Sequence, residues 1–545
     1  MDKINNQKPC LLNTPQGFSV SYRQKFLYSK YNPAGTILKT IENLQILPGT
    51  LFLCCSPVLP YGLKELNQKL KENCMILVCE AEKELLEFEK SEYLKTSGLG
   101  YLNLNEIYNL PVILNKKKYI LECGVEFPPA GTFKRVIKID FSAGSTFNDA
   151  LYKELYSACT NAIMTWWSNR ITLTKFGRKY SENFFKNLKV LNKTVPVQNY
   201  FEKISKPIVV CGAGESLDFS IPELKKNAKK FCILCADTAL QPLLANKIIP
   251  DGVFVEETQQ VITKAFIGTN KNEYDFHIFA GLSAVSSLAR IFSLNKISFF
   301  TTLYSDCDFL QNCLQNKIIP PSIPPFGSVG LTAVYFALKF RKNSSVPVYV
   351  TGLDFSYSAG KTHAKGTLAH KTRMLANTKL NPIQNYGSCF NIHSTKFADK
   401  SENIFYTMPV MRKYSELFNS FFCDTGNLFD AGSCGIPLKI ERKFPEPCNL
   451  DAENNCGNGK ENSDFIFYDT EKWILQEKNA LLYLKSLLTE KTEFSEEKLK
   501  EEITKTAENR EYLYLHFPDG WKFQYNQSFL NRIRAQIDFF LKILN

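Results

Sequence analysis

The sequence predicts an α/β protein in which helices cover a central parallel sheet, with a smaller α/β domain before that sheet and a helical domain after it. Three observations predict this. Between residues 207 and 354, apolar runs rich in β-branched and aromatic residues alternate with helical stretches, as in a parallel sheet buried on both faces. A shorter series of the same kind comes before it. After residue 440, a polar linker leads to apolar residues at helical spacing.

The N-terminal domain, residues 1–146, is predicted from three successive elements. Residues 51–55 are an apolar run with the character of a buried strand, residues 63–72 have a helical pattern, and residues 75–79 are a second apolar run. The order strand, turn, helix, strand is typical of a small α/β domain.

The central domain is predicted over residues 147–440 and begins with a helical connector, residues 147–200. The loop that follows its first strand is Gly212-Ala-Gly-Glu-Ser216. Next comes Ser220-Ile-Pro-Glu223, which reads as a capping box and predicts a helix that begins there. The predicted strands of this domain are residues 207–211, 233–236, 252–255, 276–280, 296–302 and 346–351.

The C-terminal part is predicted to be a linker, residues 441–465, and a helical domain, residues 466–545. The linker is rich in Gly and Asn, which is typical of a connecting segment. The last helix is predicted to face a core or a partner through its apolar side chains, which are Leu530, Ile533, Ile537, Phe540, Leu541 and Leu544.

Composition limits the class of function. The chain of 545 residues is 44% hydrophobic and 22% charged, as in globular proteins. It contains no run near the ~18 apolar residues of a membrane helix, and its N-terminus lacks the apolar stretch of a secretory signal. We therefore expect a cytoplasmic protein without a membrane partner. The formal charge of +12 is scattered, which favours an anionic small substrate over nucleic acid.

The 17 cysteines predict reduced thiols, because the count is odd and a chain of this size builds a core without disulfides. Cys232 and Cys235 form a Cys-x-x-Cys pair inside a predicted strand. Residues three apart on a strand face opposite sides, and no second pair completes a zinc site. We therefore interpret the pair as structural and predict no metal site.

The loop of Gly212, Gly214 and Ser216 is the first candidate site. Small residues between a strand and a helix allow backbone N–H groups to approach a phosphate, and a tight structural turn is the alternative. Leu217 occupies the third-glycine position of the dinucleotide fingerprint, which disfavours an NAD oxidoreductase. Asp237 ends the second strand, where such enzymes keep a ribose-binding acid.

Two further loops carry candidate residues. Gly327 and Ser328 open the predicted helix 329–340 and suit an anion or a sugar hydroxyl, unless they are simply a helix cap. Asp354 and His363 follow the strand 346–351, and a loop with an acid and a histidine at a strand end is a candidate acid/base site. A structural histidine is the alternative.

Together these segments resemble the motility accessory factor family of flagellin glycosyltransferases. The resemblance covers about residues 26–440, and the family's central Rossmann-like domain is itself similar to a pterin pyrophosphokinase family and to bacterial sialyltransferases. The segments that carry it, in order, are KPIVVCGAGESLD, ILCADTAL, IIPDGVFVEETQQ, PPFGSVGLTA and VTGLDFSYSAGKTHAKGT, with FLYSKYNP, SPVLPYG and NRITLTKFGRKYSENFFKNL before them.

The resemblance implies transfer of a nonulosonic (sialic-acid-like) sugar from a CMP donor to Ser or Thr hydroxyls of flagellin. It also implies that this transfer is needed for filament assembly and motility. The CMP-sugar is the donor substrate, and no further cofactor is implied. Where the family usually has Asp, this chain has Glu257, preceded by Glu256. By the resemblance, Gly212, Gly214 and Ser216 would bind the donor phosphate, and Asp237 and Thr238 would bind the nucleoside. Gly327 and Ser328 would line the donor pocket, and Asp354 would form its floor. His363 would be the general base.

Two other functions stay open. A Mg²⁺-dependent pterin or nucleotide pyrophosphokinase would place its ion at the strand ends near Asp237, Glu257 and Asp354. A non-catalytic factor that binds flagellin would use the N-terminal domain and the C-terminal helices, but it leaves the three small-residue loops unexplained. The motifs make no prediction of oligomeric state.

Overall fold

The computed structural model describes residues 8–89, 108–111, 130–269, 274–380, 387–445, 469–490 and 493–545. The chain forms two compact units, Met1–Thr172 and Leu173–Asn545. Part of the predicted linker 441–465 lies outside the described residues. The finer division into four segments stays a prediction.

The described residues of the first unit form two sheets and three short α-helices, and a long fourth α-helix begins in this unit. The elements are β1 (Cys10–Thr14), β2 (Gly17–Tyr22), β3 (Lys25–Phe26), α1 (Gly35–Glu42), β4 (Thr50–Cys55), α2 (Leu63–Gln68), β5 (Met75–Glu80), α3 (Lys83–Glu89), β6 (Tyr108–Pro111), β7 (Arg135–Asp140) and α4 (Asp149–Leu188). Strands β1–β3 are antiparallel, whereas the second sheet is parallel with the order β6-β5-β4-β7. The predicted small α/β domain is confirmed.

The second unit is built on a nine-stranded parallel sheet. Its strands are β8 (Ile208–Cys211), β9 (Cys232–Ala236), β10 (Gly252–Val255), β11 (His277–Gly281), β12 (Ile297–Thr302), β13 (Ser322–Ile323), β14 (Val348–Thr351), β17 (Leu428–Asp430) and β18 (Glu441–Arg442). Their order is β13-β12-β11-β10-β9-β8-β14-β17-β18, and each neighbouring pair is parallel. Two antiparallel strands, β15 (Thr395–Ala398) and β16 (Ile404–Thr407), lie outside this sheet.

The helices of the second unit connect and cover these strands. They are α5 (Ser216–Asn227), α6 (Asp237–Ala245), α7 (Leu288–Ile291), α8 (Asp308–Gln315), α9 (Val329–Phe340), α10 (Leu368–Ala376), α11 (Pro409–Phe422), α12 (Thr470–Thr489), α13 (Glu496–Glu508) and α14 (Gln527–Leu544). No helix in the described part of the chain has both the length and the hydropathy needed to cross a bilayer.

The sheet separates two apolar cores because successive residues of a strand face opposite sides. Val209 packs in the core that contains α5, α6 and the C-terminal helices, whereas Val210 packs in the core with α9 and α11. Likewise, Cys235 packs in the core of Val209, and Cys232 packs in the core of Val210. The predicted two-sided burial and the structural interpretation of these cysteines are therefore confirmed.

The C-terminal helices share a core with the sheet. Leu481 of α12 and Ile533 of α14 are fully buried in the same cluster as Val209. Between the helices, the buried carboxylate of Glu477 accepts hydrogen bonds from Arg510 at 2.9 and 3.0 Å and from Tyr512 at 2.5 Å. The expectation that the last helix faces a core is thus confirmed.

The predicted start of the first central helix is wrong. Helix α5 begins at Ser216 rather than at Ser220, and Pro222 lies inside it. Instead of capping a helix, the Ser220 hydroxyl donates to the backbone oxygen of Ser216 at 3.2 Å. The N-terminus of α5 is capped by the carboxylate of Asp354, which comes from a distant part of the chain.

Candidate functional site

The switch point of the large sheet lies between β8 and β14. From β8 the chain continues to β9, β10 and further strands on one side, and it returns to β14 on the other side. Loops that leave neighbouring strands in opposite directions open a crevice, and ligands of parallel α/β sheets bind there, outside the carboxyl ends of the strands. The first and third candidate loops follow these two strands.

The two loops at the switch point are joined through their backbones. Gly212 N–H donates to the oxygen of Thr351 at 2.7 Å, and Gly214 N–H donates to the oxygen of Gly352 at 2.8 Å. A Cβ atom on Gly212 would overlap the Gly352 carbonyl, and Gly352 itself has a φ of 70°, which favours glycine. These glycines are therefore required for the close approach of the two loops.

Ser216 and Asp354 form the centre of this contact. The Ser216 N–H donates to Asp354 Oδ2 at 2.8 Å, and the Ser216 hydroxyl donates to Oδ1 of the same carboxylate. The Ser216 oxygen also accepts the N–H of Gly352 at 2.8 Å. Both side chains are buried. Asp354 thus occupies, as an internal anion, the helix N-terminus that the sequence assigned to a donor phosphate.

Burial raises the pKa of Asp354 to about 6, although the hydrogen bonds from Ser216 act in the opposite direction. The nearby Lys400 also opposes the rise. Its Nζ lies 2.5 Å from Asp430 Oδ2, and both side chains are almost fully buried. No motif in the sequence marks this ion pair, although Asp430 ends a buried strand just as Asp354 follows one.

Asp237 lies at the end of β9 and begins α6. Its Oδ1 accepts the N–H of Thr238 at 2.6 Å and the Thr238 hydroxyl at 2.9 Å. Its Oδ2 is buried and has no hydrogen-bond partner among the described residues. Burial raises the pKa of Asp237 to about 7, and the carboxylates of Glu257 and Glu256 add to the rise. Asp237 therefore offers an unused acceptor at this edge.

Glu256 connects the end of β10 to the second candidate loop. It accepts hydrogen bonds from Thr302 at 2.8 Å and from Thr332, in the first turns of α9, at 2.7 Å. Burial raises the pKa of Glu256. This contact brings the start of α9, preceded by Gly327 and Ser328, to the same edge as Asp237. In the sequence, Glu256 stands out only as the neighbour of Glu257.

Glu257 accepts the N–H of Gln259 at 2.9 Å. Gly327 is exposed and has a φ of 68°, and Ser328 is half-buried and makes no capping hydrogen bond through its side chain. The start of α9 thus differs from that of α5, where a carboxylate fills the end of the helix.

His363 lies on a segment that covers the start of α5. Next to it, Ala364 N–H donates to the oxygen of Ala213 at 2.9 Å, and Lys361 Nζ lies 2.7 Å from Asp218 and 3.1 Å from Glu215. His363 Nδ1 is 3.0 Å from the Thr362 hydroxyl. Burial, with the positive charge of Arg373, lowers the pKa of His363, so its imidazole is neutral at pH 7.

The structure therefore brings all predicted site residues to one edge of the sheet. It joins Gly212, Gly214, Ser216 and Asp354 directly, and it places Asp237, Thr238 and Glu257 at the neighbouring strand ends. The hydrogen bonds of the described residues do not connect His363 to Asp354. Within the described ranges, no three His, Cys, Asp or Glu side chains are arranged to hold a metal ion.

Two asparagines of α4 hold the loops beside this edge. Asn183 Nδ2 donates to the backbone oxygen of Thr258 at 3.0 Å and to its hydroxyl at 2.7 Å, and Asn187 Nδ2 donates to the oxygens of Leu282 and Ala284 at 2.9 Å. Both side chains are buried. These two asparagines thus fasten the loops after β10 and β11 to α4.

Comparisons with known proteins give matches along the whole chain and a family match to its central part. An uncharacterized protein of Treponema pallidum (strain Nichols) is 29% identical over 569 residues, which cover 98% of this chain and 95% of the relative. A solved structure, the MAf glycosyltransferase from Magnetospirillum magneticum AMB-1, is 12% identical, with a TM-score of 0.49 over 99% of this chain and 92% of that one. Residues 182–360, which include the loops of Gly212, Asp237 and Asp354, match the family of 6-hydroxymethylpterin diphosphokinase MptE-like proteins.

Proposed function

We propose that this protein is a glycosyltransferase that moves a nonulosonic, sialic-acid-like sugar from its CMP ester to Ser or Thr hydroxyls of flagellin. The observation that carries the proposal is that the five central resembling segments meet at one edge of the parallel sheet, at and beside its switch point, although they are spread over about 150 residues of sequence. A crevice of this kind is where parallel α/β proteins bind nucleotides.

The donor's leaving group is assigned to the start of α9. Displacement of CMP develops negative charge on its phosphate, and the positive end of a helix stabilises such charge. Asp354 already fills the end of α5, whereas Ser328 leaves the end of α9 without a side-chain cap. The proposal therefore gives Gly327 and Ser328 to the phosphate. It gives Gly212, Gly214 and Ser216 the task of holding Asp354 as the floor.

The nucleoside is assigned to Asp237 and Thr238. The unused Oδ2 of Asp237 can accept a hydrogen bond from a ribose hydroxyl or from the amine of cytosine. Leaving such a buried acceptor unpaired is costly, so a ligand that pairs it gains affinity.

His363 is assigned as the base. As the bond between the anomeric carbon and the phosphate oxygen breaks, CMP departs with the electron pair, and the acceptor hydroxyl oxygen bonds to the same carbon. The hydroxyl proton passes to the imidazole of His363, which is unprotonated at pH 7 because its pKa is lowered.

Two measurements test the proposal. Thermal unfolding of the full chain with CMP, with ATP and Mg²⁺, and with NAD identifies the ligand class, and we expect CMP to raise the Tm. The intact mass of flagellin, incubated with the protein and a CMP-nonulosonate, is expected to rise by whole sugar increments. Flagellin of unchanged mass together with a Tm raised by ATP and Mg²⁺ alone would overturn the assignment.

A pterin or nucleotide pyrophosphokinase is the second candidate, favoured by the family match over residues 182–360. Its Mg²⁺ would require free carboxylate oxygens near the phosphates. Asp354 accepts hydrogen bonds from Ser216 on both oxygens, whereas Asp237 and Glu257 each accept on one oxygen, from Thr238 and Gln259. Among the described residues, no three such side chains are arranged to hold a metal ion, so we place this function second.

A further inference from the structure

The segment that follows Asp354 has an unusual charge. Residues 355–380 and 387–398, here called the edge segment, contain six Lys or Arg and no Asp or Glu, and so carry half of the chain's formal charge of +12. A surface of one sign attracts a partner of the opposite sign.

The edge segment begins firmly attached to the candidate site. Ala364 N–H bonds to Ala213 in the loop after β8, and Lys365 N–H bonds to Asp218 of α5 at 3.0 Å. Further along, the Tyr357 hydroxyl donates to the backbone oxygen of Ser388 at 2.7 Å. The first part of the segment is thus fixed next to His363, and the second part is tied to the first through Tyr357.

Beyond these attachments the segment exposes large apolar side chains. Five of them are between 53% and 97% exposed, namely Met374, Leu375, Leu380, Phe390 and Ile392. Single exposed apolar residues are ordinary, but several large ones on one segment supply apolar area that a partner can cover. Among the basic residues, Lys361 is neutralised by Glu215 and Asp218, whereas Lys371 and Lys379 are exposed.

We infer that the edge segment is the docking surface for the protein acceptor, and that it binds a polypeptide stretch in which carboxylates accompany apolar side chains. This inference rests on the proposed function and names how its acceptor is recognised. The basic side chains select the charge of the partner, and the apolar ones supply the buried area that a small anion or a sugar cannot offer. A hydroxyl on the docked stretch then lies next to His363.

A polypeptide fits these observations better than a lipid surface. Helices that lie on membranes gather their apolar residues on one face opposite a basic one. Here α10 has nine residues, and Leu380, Phe390 and Ile392 belong to irregular chain outside it. The surface therefore suits an extended partner that contacts several arms.

The test uses the full chain with two altered surfaces. One variant combines Leu375→Ser with Phe390→Ser, and the other combines Lys371→Glu with Lys379→Glu. The matched control is Leu482→Ser, an exposed leucine of α12. Calorimetry measures the Kd for purified flagellin and for CMP, and co-sedimentation measures binding to vesicles of phosphatidylglycerol and phosphatidylcholine.

We expect both edge variants to bind flagellin about tenfold more weakly, with CMP affinity and the control unchanged. Flagellin affinity that is equal in the edge variants and the wild type, or no flagellin binding by the wild type, overturns the inference. So does vesicle binding that the edge variants alone lose. If flagellin binding depends on the edge segment but CMP does not bind, the docking surface stands and the proposed glycosyltransferase activity fails.

Discussion

Ser216 and Asp354 hold each other across the switch point of the sheet. The N–H and the hydroxyl of Ser216 both donate to the Asp354 carboxylate, and the Ser216 oxygen accepts the N–H of Gly352. The two residues are 138 positions apart in the sequence. The loops after β8 and β14 therefore behave as one structural unit, whose strength can be measured.

We expect Ser216→Ala to lower the free energy of unfolding by about 1–3 kcal/mol, because it leaves buried polar groups of Asp354 and Gly352 without a partner. Urea denaturation measures the loss. The control is Ser420→Ala, an exposed serine whose hydroxyl bonds within its own helix, and we expect its effect to stay within about 0.5 kcal/mol. Equal values for the two variants would contradict the role given to Ser216.

Asp237→Asn should change how stability depends on pH. Burial raises the pKa of Asp237 to about 7 in the folded protein, well above the ordinary value of an aspartate, so the folded state holds the proton more tightly. Stability contributed by this group is complete below about pH 4 and is lost as the pH rises to about 7. In the wild type this group lowers the free energy of unfolding by up to about 1.4 kcal/mol per pH unit as the pH rises, and the variant removes this contribution.

The measurement is the free energy of unfolding of the wild type and of Asp237→Asn at pH 5 and pH 8. We expect a smaller difference between the two pH values in the variant. Asp354, whose pKa is about 6, causes part of the decline that remains. An unchanged pH dependence would show that Asp237 ionises as readily when folded as when unfolded.

Gly352→Ala should destabilise the protein by more than about 2 kcal/mol, since it combines a φ of 70° with an overlap between the new Cβ and the backbone of Gly212. Gly426→Ala is the control, because nothing lies within 4 Å of its Cβ position. Urea unfolding of both variants provides the comparison. A Gly352→Ala protein as stable as the control would mean that the loops separate easily.

Thr332→Val tests the link between β10 and α9. The valine keeps the shape of the side chain but removes the donor to Glu256, so we expect a loss of about 1–2 kcal/mol in unfolding free energy and a weaker response to CMP. The control, Thr489→Val, removes an exposed hydroxyl that bonds within α12. Normal CMP binding by Thr332→Val would separate α9 from the donor pocket.

The sequence predicted those features that depend on local pattern. The strand at Gly252–Val255 and the helix at Val329–Phe340 match their predicted bounds, because unbroken apolar runs and helical spacing are local signals. The start of α5 was misplaced, because Asp354, which caps it, lies far along the chain. The predicted helix 63–72 is too long, because the helix ends at Gln68 and is followed by a turn in which Asn73 has a φ of 57°.

The buried pair of Lys400 and Asp430 was missed for a related reason. A lysine 30 residues from its partner carries no local signal of burial, and charged side chains are rarely buried unless they are paired. The unused Oδ2 of Asp237 likewise depends on which neighbours fold around it. The sequence indicated which residues meet at the edge, but not which of their atoms are already engaged.

The core shared by the sheet and the C-terminal helices restricts how this protein can be shortened. A fragment cut at the limits of the family match, residues 182–360, would keep β8 to β14 but lose β17. It would also lose the C-terminal helices, whose Leu481, Ile533 and Phe540 cover one face of the sheet. Such a fragment would present a bare sheet face to water and aggregate. Expression for crystallisation or for ligand screening should therefore retain the chain through its last helix.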